Sequence, residues 1–212
     1  MDLTEYENKF KLEISKRASA EDPAHDFLHF YRVASMAKKL CKKEDAKLEV
    51  VLPSAWLHDY VVIPKNSHLR SQASRLSAEA AIEFLRSIDY PQKFYQEIFH
   101  AIEAHSFSAH IEARTVEAKI VQDADRLDGL GAIGVARCFA TAGMMKRSFY
   151  SSVDPFCEAR MADDSQFTVD HFFKKLFKVA ETLKTTSAQA EGKNRVQVMR
   201  GYLDSLRNEI IV

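Results

Sequence analysis

The stretch Ser54-Ala55-Trp56-Leu57-His58-Asp59-Tyr60 sets an imidazole beside a carboxylate at the end of an apolar run, with Pro64 shortly after. Neighbouring side chains on a regular helix point about 100° apart, so adjacent ligands converge on one ion only near a frayed or bent end. Pro64 disfavours helical geometry at Ile63, which puts the helix end close to the pair. An imidazole nitrogen and a carboxylate oxygen suit a borderline divalent cation such as Mn, Fe, Co, Ni or Zn. The dipeptide alone is weak evidence, because His25-Asp26 is a second such pair. Its meaning depends on further donors elsewhere in the chain.

Two further donors stand out. In Gln122-Asp123-Ala124-Asp125-Arg126-Leu127-Asp128, three- and four-residue spacing sets Val121, Asp125, Asp128 and Ala132 on one face. Asp125 then borders the apolar side and Asp123 points elsewhere. The plain alternative for Asp125 is an ion pair with Arg126 or Arg137. His29 sits among Leu28, Arg32 and Val33 on a helix that Asp26 is placed to cap. A lone helical histidine is more often a satisfied core or surface residue than a ligand.

The elements that must position these donors read as helices throughout, so the fold class is all-α. Residues 4–18, 26–40, 46–60, a helix capped by Ser71 or Ser74, 94–105, 112–128 and a run to about Met145 follow in order. Val169–Leu183 and Arg195–Ile210 read as two closing helices separated by TTSAQAEGKN. The longest irregular stretch, 146–166, is a candidate lid. With 212 residues the chain is expected to be a single domain, its core at about 20–145 and its closing helices at about 167–211.

Net charge is zero, with 30 basic and 30 acidic side chains, which argues against a broad duplex nucleic-acid surface and leaves room for a small basic pocket. Cys41, Cys138 and Cys157 lack zinc or redox spacing and read as free thiols in a reducing compartment. The charged N-terminus lacks the apolar segment of a secretory signal, and no run approaches a membrane span. A cytoplasmic protein is the expectation, and a homodimer is allowed.

Joined together, His29, His58-Asp59 and Asp125 on separate helices resemble the HD-domain metal-dependent phosphohydrolases, a family named for the adjacent pair. The likeness extends through DFLHFYRV (26–33), WLHDY (56–60), SAEAAIEFL (77–85), AIEAHSFS (101–108), EAKIVQDADRLDGLGAIGVAR (117–137) and HFFKKLFK (171–178), followed by Arg195. It is closest to the small bacterial branch that includes nucleotide pyrophosphohydrolases. The resemblance implies an HD-type helical bundle and one divalent metal (Mn, Co, Ni, Fe, Zn or Mg) held by His29, His58, Asp59 and Asp125. It also implies a phosphorylated small-molecule substrate, with a nucleoside triphosphate cleaved to monophosphate and pyrophosphate as the leading reading.

Two imidazoles and two carboxylates leave positions for water and a phosphate oxygen on a six-coordinate ion, the demands of phosphate hydrolysis. Negative charge developing on phosphate needs cations, and Lys65 and Arg32 are the candidates. Either can equally be a solvated surface charge. His105 can bind phosphate, shuttle a proton or support a second metal, or simply pack in the core. Asp128 is a candidate base, support or ribose contact. Some nucleotidase relatives carry an acidic residue three positions after the pair, where this chain has Val62. That departure counts against the rival reading, a nucleoside monophosphate phosphatase; a non-catalytic nucleotide-binding regulator is the rival from another class. Gly129-Leu130-Gly131-Ala132-Ile133-Gly134 satisfies the GxGxxG pattern, but a charged helix precedes it where a dinucleotide fold needs a strand. These glycines read as a break and a close packing of helices.

Overall fold

The computed structural model describes residues 1–17, 26–63, 67 and 69–210. Among these, nine α-helices follow one another: α1 (Leu3–Arg17), α2 (Phe27–Lys43), α3 (Leu48–Leu57), α4 (Ala73–Ser87), α5 (Tyr95–Glu103), α6 (Val116–Asp128), α7 (Gly131–Met144), α8 (Phe177–Glu181) and α9 (Thr186–Ile210). The fold is an all-α helical bundle, and extended pairing among the described residues is confined to one bridge between Ser148 and Phe167. None of these helices is long and apolar enough to cross a membrane. The three cysteines are free thiols.

The chain divides into two compact units, Met1–Asp125 with Lys184–Ser187, and Arg126–Leu183 with Ala188–Val212. The first is organised around α3, whose residues Val50 to Leu57 are all buried. That helix packs against α1, α2 and α5. Pro53 stands inside it and removes one backbone donor, which leaves the carbonyl of Glu49 without its usual helical partner. Tyr90 resolves this, its hydroxyl donating to Glu49 O at 2.6 Å. Trp56 is fully buried, and its indole N–H donates to Glu7 on α1. With Trp56, Leu57, Phe10, Ile14 and Ile98 at 0–1 % exposure, α3 is a rigid support for whatever follows it.

The second unit has its own core, where Phe139, Phe172 and Tyr202 meet and Phe172 stacks on Tyr202 at 6.2 Å between ring centres. The stretch 146–166 read as a lid is tied down inside this unit. Asp154 accepts from the backbone N–H groups of Glu158, Ala159 and Arg160, and the Arg160 guanidinium bridges both oxygens of the fully buried Asp170.

Several helix boundaries differ from the sequence reading for identifiable reasons. The α4 helix has no side-chain cap: Gln72 precedes it, and the Ser74 hydroxyl donates instead to Glu103 O at 2.8 Å. The α6 helix begins at Val116 rather than Glu112, because Thr115 Oγ1 accepts from Ala118 N. Ala132 lies in the first turn of α7 and so does not continue the face of α6. In place of a helix over 169–183 there is a wider π turn at Phe172–Leu176 followed by the short α8. Most of the polar TTSAQAEGKN stretch is helical and forms the first turns of α9.

Candidate metal centre

His29 owes its place to its helix start. Asp26 caps α2 and its side chain accepts from His29 N at 2.8 Å, which sets the histidine in the first turn with its ring 1 % exposed. His58 and Asp59 follow directly on the last residue of α3, with Tyr60 N closing a tight turn onto Leu57 O. The exit of that turn is held on two sides. Tyr60 donates to Glu13 at 2.7 Å beneath the Arg17 guanidinium, and Ser77 Oγ accepts from Val61 N at 3.1 Å. Asp125 comes from the last turn of α6, with its side chain 31 % exposed.

These residues converge. His29 Nε2 lies 3.3 Å from His58 Nε2, and Asp125 Oδ1 lies 3.6 Å from the first and 3.8 Å from the second. Asp59 turns one oxygen toward His58 Nε2 at 3.7 Å and the other toward His105 Nε2 at 3.3 Å. Two overlapping donor sets result, His29 with His58 and Asp125, and His58 with Asp59 and His105. Donors about 2.1 Å from a shared ion, at angles of 90–110°, stand roughly 3.0–3.4 Å apart. The observed spacings lie close to that range, and a modest contraction closes the set around a cation.

The chemistry of the donors also fits a cation. His58 Nδ1 donates to Ala55 O at 2.9 Å, which leaves the lone pair of Nε2 facing His29 and the carboxylates. Burial, first, pushes the His58 imidazole down to about 4, so it is neutral and ready to ligate near neutral pH. One lone pair serves one ion at a time, so the two overlapping sets cannot both be filled through His58. His105 behaves differently. Burial works against its charge, but the Asp59 carboxylate and the Ile102 carbonyl, which accepts from Nδ1 at 2.6 Å, raise its pKa on balance.

The remaining sequence candidates are distributed more widely. Arg32 is half-buried one turn beyond His29 on α2. Lys65 lies outside the described residues, as does His25 of the second His-Asp pair. Asp128 belongs to the second unit, where Arg137 donates to it at 2.6 Å. Arg126 donates to the carbonyl and hydroxyl of Thr182. Asp123 does point away from the cluster, and takes the N–H groups of Lys184 and Thr185.

Residues 26–130 match the model of the HD domain, and the His-Asp pair and both outlying donors fall inside that span. This chain carries an HD domain. It is a metal-dependent hydrolase of the HD type, and the cluster supplies the His and Asp donors such a domain uses for a divalent cation. A curated relative, the uncharacterized protein YpgQ of Bacillus subtilis, is 29% identical over 194 residues, covering 90% of this chain and 86% of its own. Among solved structures, a Listeria innocua protein superposes with a TM-score of 0.76 at 26% identity, covering 100% of this chain and 99% of the other. An HD-superfamily hydrolase from Bacillus thuringiensis gives 0.75 at 25% identity over 97% of each chain. The complex of B. subtilis YpgQ with ADP gives 0.73 at 28% identity, covering 97% of this chain and 98% of YpgQ.

Proposed function

We propose that this protein is a divalent-metal-dependent phosphohydrolase that converts nucleoside triphosphates to monophosphates and pyrophosphate. The observation that carries the reading is the approach of His29, His58 and Asp125 to within 3.3–3.8 Å of one another, with Asp59 3.7 Å from His58. These four would hold the cation. When bound, it supplies a Lewis acid to water and to a phosphoryl oxygen.

The chain's own groups do the rest. The His58–Ala55 hydrogen bond keeps Nε2 unprotonated toward the donors, and the turn after it is locked by Glu13 and Ser77. His105, paired with Asp59 through Nε2, is the group we assign to hold a proton for the departing phosphate oxygen. Arg32 and Lys65 are the candidate counter-charges for the phosphate chain. The ADP complex of YpgQ supports a nucleotide ligand here. Val62, at the position where the nucleotidase relatives place an acid, is 56 % exposed and offers no carboxylate, which weighs against a monophosphate phosphatase. The free cysteines are consistent with work in the cytoplasm.

The test is a panel of nucleoside tri-, di- and monophosphates with Mn, Co, Ni or Mg and chemical identification of the released product. Pyrophosphate from triphosphates is the expected result. Orthophosphate from monophosphates would replace this reading with the phosphatase. Nucleotide-dependent thermal stabilisation with no turnover under any metal would favour a regulator.

A further inference from the structure

Gln122 is buried at 3 % exposure on α6, one helical turn before Asp125. Its amide nitrogen donates to Ala104 O at 2.8 Å, and Ala104 is the residue immediately before His105. One side chain therefore ties the helix that carries Asp125 to the segment that carries His105. The other end of the amide is unusual. Gln122 Oε1 is fully buried and has no hydrogen-bond partner among the described residues. Leaving a buried amide oxygen unpaired is destabilising, because its lost hydration is not replaced. An apolar side chain of the same shape would avoid that cost at a position with no other task.

We propose that Gln122 is a positioning residue for His105: its amide N–H sets the Ala104–His105 peptide, and its Oε1 accepts a hydrogen bond from a buried water. The inference deepens the phosphohydrolase reading and rests on it for the kinetic consequence. The geometry is local. His105 has its Nδ1 on Ile102 O at 2.6 Å and its Nε2 on Asp59 at 3.3 Å. With both ring nitrogens directed by neighbours, the remaining freedom of the ring is the path of its own backbone, and that path is what Gln122 holds.

Gln122→Met keeps volume and removes both amide functions. Its expected phenotype is a loss of kcat of tenfold or more, with KM within about twofold and the Kd for Mn within about threefold of wild type. Gln122→Glu keeps one acceptor and, when protonated, a donor toward Ala104. It is expected to recover kcat as pH is lowered, which Gln122→Met does not do. A second readout needs no turnover: in histidine-selective NMR of the metal-free protein, Gln122→Met shifts the His105 ring resonances and leaves those of His29 in place.

Unchanged kcat in the methionine variant, or a fall in kcat that vanishes once rates are normalised to folded protein, would overturn the proposal. So would glutamate and methionine variants that behave alike across pH. If wild type hydrolyses no phosphorylated compound, the phosphohydrolase reading fails. The His105 spectrum then still decides Gln122: a shift supports its positioning role and an unchanged spectrum refutes it. Should Gln122→Met not fold, the pH recovery and spectrum of Gln122→Glu carry the same decision.

Discussion

His29 Nε2 and His58 Nε2 face each other at 3.3 Å, although one residue lies in α2 and the other just past the end of α3, and neither residue is more than 1 % exposed. His58 spends its Nδ1 proton on Ala55, so without metal the contact requires His29 to donate. In the metal-bound protein His29 and His58 would instead offer their Nε2 lone pairs, with Asp59 and Asp125, to a divalent cation. Wild type with Mn at a hundredfold excess over Kd is therefore expected to gain about 2.7 kcal/mol of stability. For a chain of this size that is roughly 5–10 °C in Tm. Asp59→Ala and Asp125→Ala should lose most of that shift and hydrolysis while keeping the helical circular-dichroism signal. A full Mn-induced shift in either variant would remove that residue from the ligand set.

The same pair dictates a pH dependence. The folded His58 imidazole is pushed down to about 4, by burial first and then by the neighbouring His105 and His29, while Asp59 and Asp125 partly oppose the shift. Its unfolded value is near 6.5. Stability from keeping His58 neutral is thus fully present above about 6.5 and is lost as pH falls from there toward 4. One proton contributes at most about 1.4 kcal/mol per pH unit to that slope. His105, raised in the fold, contributes with the opposite sign: its share is present at low pH and lost as pH rises through its folded value. Urea midpoints of metal-free wild type and His58→Gln between pH 7 and 4.5 check this. The variant should show the shallower loss on acidification, and parallel curves would refute the assignment.

How much of this was legible in the chain differs by residue. The His58-Asp59 pair was readable because its position at a helix end, ahead of Pro64, is a local feature. The Asp26 cap that fixes His29 was readable for the same reason. The α9 start was not: TTSAQAEGKN looks like a linker, and its helical state depends on distant partners. Glu44 at the end of α2 accepts from Ser187 N at 2.7 Å, and Asp123 takes Lys184 and Thr185. Such caps join residues 61 and 143 positions apart, beyond the reach of any periodicity. Gln122 was invisible for a related reason, because an amide within a helix carries no local signal of what its two ends will meet.

Asp123 supplies a prediction about stability alone. It is fully buried and accepts from Lys184 N, Thr185 N and the Thr185 hydroxyl at 2.8–3.1 Å. Removing the carboxylate strands these donors at the entrance to α9. Asp123→Ala is expected to cost about 2–4 kcal/mol in urea unfolding, the sum of a lost cap and an unsatisfied buried group. Asp123→Asn, which keeps one acceptor oxygen, should cost less. Equal losses in the two variants would show that the charge rather than the acceptor geometry is what matters.

The glycines of the GxGxxG pattern provide a last contrast, inside α7. A Cβ added at Gly134 would clash with Gly129 O, a backbone atom that cannot move aside without unmaking the α6–α7 corner. Gly143, nine residues later in the same helix, would meet nothing within 4 Å. Helix propensity alone favours alanine over glycine by about 1 kcal/mol at both sites. Gly143→Ala should therefore raise stability by up to that amount. Gly134→Ala should lower it by more than 2 kcal/mol, because the steric cost exceeds the propensity gain. Paired urea titrations of the two variants measure the difference directly. Similar effects at both positions would mean that the corner yields easily, and the close approach of Gly134 to Gly129 would then not be what requires glycine there.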